Sequence, residues 1–187
     1  YGAEDVTIIG VSLGGELCMR AAAMEPRIRR VVSWSVLPSI YGALMADKPA
    51  EIRAKLEHWL DENNRDAILD LYAGLAEREP LFRWSIQHSN YAYGTSDVYE
   101  YLQKARAFTI EPVAERITQD VLLLSAREDL LVDFALYKQE IDLLKNTRSL
   151  EFAAPGRALN GQTHCNMGNT KYMLDLILNW NDRMLER

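Results

Sequence analysis

Short apolar runs rich in β-branched residues stand at both ends of the chain, and a long stretch of helical periodicity separates them. Val6-Thr-Ile-Ile9 is such a run, with the composition of a strand buried on both faces. It enters Gly10-Val-Ser-Leu-Gly-Gly15, after which Glu16 to Met24 reads as an alanine-rich helix that Pro26 stops. Val31-Val-Ser-Trp34 is a second short strand, so strand, helix and strand form a βαβ unit with a parallel sheet and a right-handed crossover. From Pro38 to Arg116 the period changes. Ile52, Leu56, Trp59 and Leu60 share one helix face, as do Ile68, Leu71, Tyr72 and Leu75. Leu81 to Tyr91 and Val98 to Ala107 are also predicted helices, the second with Ser96 as its N-cap.

The strand pattern resumes at Val121-Leu-Leu-Leu-Ser125, continues through a helix from Phe134 to Leu144, and ends at Ser149-Leu-Glu-Phe152. A loop with Pro155, Gly156, Asn160 and Gly161 leads to His164, and a closing helix sets Met173, Leu176, Ile177, Trp180 and Met184 on one face. The expected fold class is therefore α/β. Four parallel strands are placed near 6–10, 30–34, 121–126 and 148–153, interrupted by an all-helical insertion without strands. The boundaries drawn are 1–37 and 118–187 for the sheet-bearing part and 38–117 for the insertion. No internal repeat or low-complexity segment is present.

Composition narrows the partners. Lys+Arg number 21 against 27 Asp+Glu, a net charge of −6 without a basic stripe beyond Arg27, Arg29 and Arg30, so no nucleic acid is expected. No apolar run approaches the roughly 18–20 residues of a membrane span, and no membrane partner is expected. Cys18 and Cys165 are too few for a disulfide framework, which predicts reduced thiols and a cytoplasmic setting. The chain opens on Tyr1 a few residues before its first strand and reads as a piece of a longer protein, with any leader or first domain upstream.

Gly10-Val11-Ser12-Leu13-Gly14 fits G-x-S-x-G between a buried strand and a helix. A serine on so sharp a turn takes a strained conformation, flanking glycines relieve side-chain clashes, and the hydroxyl is lifted to the positive end of the helix. A serine needs a base, and three histidines compete for the role. His58 beside Trp59 reads as a helix-surface residue, and His88 as a polar residue of the insertion within reach of a substrate. His164, in the loop after the last strand, is placed to swing over the sheet. The acid should follow the strand Val121–Ser125: Asp129 is the first candidate, with Glu128 and Asp133 as competitors. The order Ser12, Asp129, His164 suits nucleophile, orienting acid and base. Leu13 N–H would supply one oxyanion donor.

Other chemistries lack their spacing. Cys165, His164 and Asp129 do not cluster as zinc ligands, and Gly14-Gly15 has neither a P-loop lysine nor a dinucleotide fingerprint. No metal or organic cofactor is expected. The aromatic residues of the insertion suit a small core of its own, with Trp84, His88 and Tyr91 reserved as substrate contacts.

These residues carry a family resemblance. Gly10-Val-Ser-Leu-Gly-Gly15, Val121-Leu-Leu-Leu-Ser-Ala-Arg-Glu-Asp129 and His164-Cys165 before a terminal amphipathic helix resemble the α/β-hydrolase superfamily. The His-Cys pair with Asn169 nearby, and the helical cap containing Trp84 and Tyr93-Gly94, are similar to its acylaminoacyl-peptidase-like and fermentation-respiration-switch-like branch. The resemblance implies a serine hydrolase acting on a small ester, amide or activated ketone. Rival readings are a non-catalytic binding domain of the same fold and an acyltransferase using the same three residues. It also implies sheet strands and a second oxyanion donor upstream of Tyr1, without which weak or no activity is expected. The sheet edge so exposed is expected to pair with another chain, as in a homodimer.

Overall fold

The computed structural model describes residues 2–187. Four parallel strands form one sheet in the order β1-β2-β3-β4: β1 Val6–Val11, β2 Ile28–Trp34, β3 Asp120–Leu124 and β4 Ser149–Ala153. Because the side-chain period of a strand is two, the sheet feeds two cores. Val31, Val121 and Leu123 point into one, with Met19 and Ala22 of helix α1 (Leu13–Met24) and with Ile110 and Ile117. Val32, Trp34, Leu122 and Leu124 point into the other. There they meet Met173, Ile177, Trp180 and Met184 of the closing helix α8 (Thr170–Leu185). Each of these fully buried large side chains contributes about 1.5–3 kcal/mol by leaving water.

β3 lies at the centre and is buried throughout, whereas β1 is an edge strand. This corrects the expectation that β1 is covered on both faces. With a single neighbour in the sheet, it leaves Ile9 45% and Val11 44% exposed. Helix α1 starts at Leu13, three residues before the start read from sequence at Glu16. Gly14 and Gly15 fall in the first turn, where the backbone N–H groups have no intrahelical partner in any case.

Between β2 and β3 the chain forms α2 (Ile40–Ala46), α3 (Ala50–Asp61), α4 (Arg65–Arg78), α5 (Pro80–Tyr93) and α6 (Val98–Ala105), with no strand among the described residues. Helix α7 (Leu136–Leu143) links β3 to β4. The N-cap of α6 is Asp97, whose carboxylate accepts from Glu100 N at 3.0 Å, rather than Ser96. Ser96, one residue before the cap, instead donates its backbone N–H to Glu100 Oε2.

Two compact units result: residues 1–43 with 109–187, and residues 44–108. The break points lie inside the span 38–117 drawn from sequence. Residues just outside the insertion belong to the sheet-bearing unit: Ser39 pairs with Thr109 in an antiparallel bridge, Ile110 N donates to Pro38 O at 2.9 Å, and Ile110 and Ile117 are buried in the core. The 44–108 unit has its own interior, with Leu56, Leu60, Ile68 and Leu102 buried. The Tyr72–Phe82 stack and the edge contacts of Tyr93 with Tyr101 and Phe108 belong to this unit as well.

Candidate active site

The turn from β1 into α1 is held in a conformation that few residues adopt. Ser12 has φ 55° and ψ −122°, and its N–H donates to Trp34 O at 2.9 Å, tying the turn to the end of β2. A Cβ on Gly10 would lie 1.8 Å from Gly14 O, and one on Gly15 would lie 2.4 Å from Ser35 O. Both positions therefore require glycine. Gly14, the second glycine of the motif, has open space where a Cβ would stand. The close packing beneath the turn thus rests on Gly10 and Gly15.

At the far end of the sheet unit, the loop after β4 turns back over the same strand ends. His164 opens an irregular turn, His164–Asn169, in which Cys165 (φ 51°) and Asn166 (φ 54°) are left-handed. Asn166 is buried and holds this turn in place. Its Nδ2 donates to Ser125 O at 3.1 Å and to Gly161 O, and its Oδ1 accepts from Trp34 Nε1 at 3.2 Å. Sequence reasoning missed Asn166. The signal was an asparagine, tolerant of the left-handed region, directly after the His-Cys pair. Asn169, which was singled out, caps α8 through Tyr172 N at 3.2 Å.

The loop closure places Ser12 Oγ 2.9 Å from His164 Nε2, and His164 Nδ1 2.8 Å from Asp129 Oδ2. Asp129 also accepts from Leu131 N at 2.8 Å and Val132 N at 3.1 Å through Oδ1, which fixes its carboxylate on the loop after β3. Burial pushes its pKa up, but the hydrogen bonds from His164 and the two backbone N–H groups outweigh that and the net shift is downward. His164 is shifted upward, first by the hydrogen bond with Asp129 and then by Cys165. Leu13 follows Ser12 as the first residue of α1, among the N–H groups with no intrahelical carbonyl to bind.

The competing residues have other partners. Glu128 forms a two-point ion pair with Arg157 at 2.5 and 2.6 Å, and Asp133 accepts from Ala135 N at 2.7 Å at the entry to α7. His58 is exposed on α3. Trp84, His88 and Tyr91 all lie on α5 in the 44–108 unit. The rings of Trp84 and His88 stack at 5.2 Å, with Trp84 58% and Tyr91 88% exposed. Among the described residues no group of three or more His, Cys, Asp or Glu side chains is placed to hold a metal ion. Nor is any helix there long and apolar enough to cross a membrane.

Comparison with known proteins agrees with this arrangement at the level of fold. A family model described as alpha/beta hydrolase fold matches residues 1–160. Hydrolase acrC of Aspergillus aculeatus is 29% identical over 119 residues, covering 57% of this chain and 27% of that protein. The chain thus matches about a quarter of the length of this relative, and the same holds for hydrolase LUC6 of a Fusarium species, 26% identical over 109 residues, with 58% of this chain and 25% of that protein covered. Among solved structures, the alpha/beta hydrolase GrgF of Penicillium sp. superposes with a TM-score of 0.59 at 13% identity, covering 97% of this chain and 64% of its own.

Proposed function

The chain belongs to the α/β hydrolase fold family, and from that membership we propose that Ser12, His164 and Asp129 act together to hydrolyse a small ester, amide or activated ketone. The observation that carries this reading is the unbroken hydrogen-bonded path from Ser12 Oγ through His164 to Asp129, with 2.9 and 2.8 Å links. Ser12 Oγ attacks the carbonyl carbon while His164 Nε2 accepts its proton. The carbonyl π pair moves onto oxygen, where Leu13 N–H donates to the developing charge. As the tetrahedral intermediate collapses, the bond to the leaving group breaks and His164 returns the proton to it. Water then attacks the acyl-serine with His164 as base again, releasing the acid and restoring Ser12. Asp129 stays ionised throughout, holding Nδ1–H and stabilising the imidazolium; its downward shift suits that role.

The two curated relatives are named hydrolases, which supports hydrolysis over transfer to another acceptor. The test is labelling by a fluorophosphonate followed by peptide mass spectrometry. Modification at Ser12, abolished in Ser12→Ala, is expected; labelling that persists in Ser12→Ala overturns the assignment.

A further inference from the structure

Helix α5 is apolar on two opposite sides, and the packing of the 44–108 unit uses one of them. Phe82, Ile86 and Tyr93 lie half-buried on the inner side. Phe82 stacks on Tyr72 of α4 at 5.5 Å, and Tyr93 meets Tyr101 of α6 and Phe108 edge-on at 5.1 Å. Leu81, Trp84, His88 and Tyr91 recur at intervals of three, four and three residues, which sets them in one stripe on the opposite side. Leu81 is 75% exposed, and Trp84, His88 and Tyr91 are exposed as well. A helix that is hydrophobic all round belongs in an interior, yet no residue of α5 is buried. Nor is the outer side built for water. The chain is 26% charged, but Arg83, at the flank of the stripe, is the single charged residue among the 14 of α5. The exposed leucines of α8, Leu174 and Leu178, are by contrast interleaved with charges such as the Lys171–Asp175 pair.

We propose that this stripe is the contact surface for a second copy of the chain, with two α5 helices packed antiparallel about a two-fold axis. The spacing reads the same in both directions, as a contact between identical patches requires. Reversed about the midpoint of Trp84 and His88, the stripe sets Trp84 against the partner subunit's His88 and Leu81 against the partner subunit's Tyr91. Apolar residues at these intervals also suit helices that cross at about 20° and interdigitate. The Trp84 and His88 rings already stack at 5.2 Å and 7°, so each copy offers a rigid two-ring plate that loses little side-chain freedom on pairing. No carboxylate belongs to the stripe, so two chains of net charge −6 meet there without bringing like charges together. Aromatic side chains bury about 150–250 Å² each, and the four residues supply about 500 Å² per copy. The pair then buries about 1,000 Å², the lower bound for a specific interface, which fits micromolar rather than nanomolar affinity.

Sedimentation of the full chain at neutral pH should show a monomer–dimer equilibrium with a micromolar Kd. Trp84→Glu puts a carboxylate in the middle of the stripe on both copies and should weaken the dimer by about a hundredfold or more. Because Trp84 is exposed, the circular dichroism spectrum and the melting temperature in dilute solution should match the wild type, which separates a lost contact from a lost fold. Leu174→Glu, on the exposed side of α8, should leave the equilibrium unchanged. Disulfide trapping reads the direction of pairing. Copies carrying Leu81→Cys, mixed with copies carrying Tyr91→Cys, should form the mixed disulfide faster than either forms one with itself, Cys18 and Cys165 being buried. A chain that stays monomeric well above micromolar concentration overturns the proposal, and so does a preference for self-paired disulfides. A dimer that Trp84→Glu leaves intact, as one paired through the β1 edge would be, overturns it too. Binding to phosphatidylcholine vesicles without a dimer, lost in Trp84→Glu, would assign the stripe to a lipid surface instead and equally overturn it.

Discussion

Ser12 and its glycines separate two demands that the motif merges. Gly10 is required by the 1.8 Å approach of Gly14 O, while nothing lies within 4 Å of a Cβ on Gly14. Gly10→Ala should therefore destabilise the fold by about 3 kcal/mol or more through a forced backbone shift. Gly14→Ala, on a helical turn with room for a methyl, should be neutral or gain about 0.5–1 kcal/mol. Urea midpoints rank the two, and equal losses would mean that the turn does not pack as described. The acid is tested in the same way. Asp129→Asn should cut Ser12 labelling by about ten-thousandfold, because Nδ1–H loses its carboxylate and the imidazole its tautomer. Asp133→Asn, which perturbs only the bond from Ala135 N, should change it by little. A reversed ranking moves the acid to Asp133. Ser12, Asp129 and His164 were legible because a turn motif, a strand end and a chain order each leave a mark in sequence. Asn166 left only its tolerance of the left-handed region, and the buried Glu16 and Glu140 left no mark. A buried polar residue on an amphipathic helix or in a loop looks like a solvated one until its neighbours are known.

Among the elements, strand and helix ends alike were readable to within about three residues, whereas the place of a strand in the sheet and the choice of a capping residue were not. Val121–Leu124 and Val6–Ile9 both read as short apolar strands, yet β3 is buried on every residue and β1 only at Gly10. Which strand is central depends on the order in the sheet, and composition does not encode that order. Helix ends depend on single side chains. In Ser96-Asp97 either residue can cap, and the fold selects Asp97, whose carboxylate also pairs with Arg65 of α4. Asp97→Ala should thus cost about 1–2 kcal/mol, more than Ser96→Ala, since it leaves Glu100 N without its acceptor and breaks the tie to α4. Thermal unfolding of the two variants checks the order. A larger loss in Ser96→Ala would return the cap to the residue chosen from sequence.

At the scale of the whole molecule, the helical unit 44–108 is one continuous segment inserted in the chain of the sheet-bearing unit. The two chain ends that it interrupts are fastened to each other outside it, by the Ser39–Thr109 bridge and by Ile110 N donating to Pro38 O. Ser12, Asp129 and His164 all belong to the sheet-bearing unit, as do both of its cores. Removing 44–108 and joining the ends with a short Gly/Ser linker should therefore leave that unit with a cooperative unfolding transition, because closing a shorter loop costs less entropy and neither core loses a residue. A small fluorophosphonate should still label Ser12 in the shortened protein within about tenfold of the intact chain, since each hydrogen bond of the Ser12–His164–Asp129 path survives the cut. A shortened protein that unfolds without a transition would show that the sheet-bearing unit depends on the helices for its stability. One that folds but no longer labels Ser12 would assign the helical unit a part in activating the serine itself.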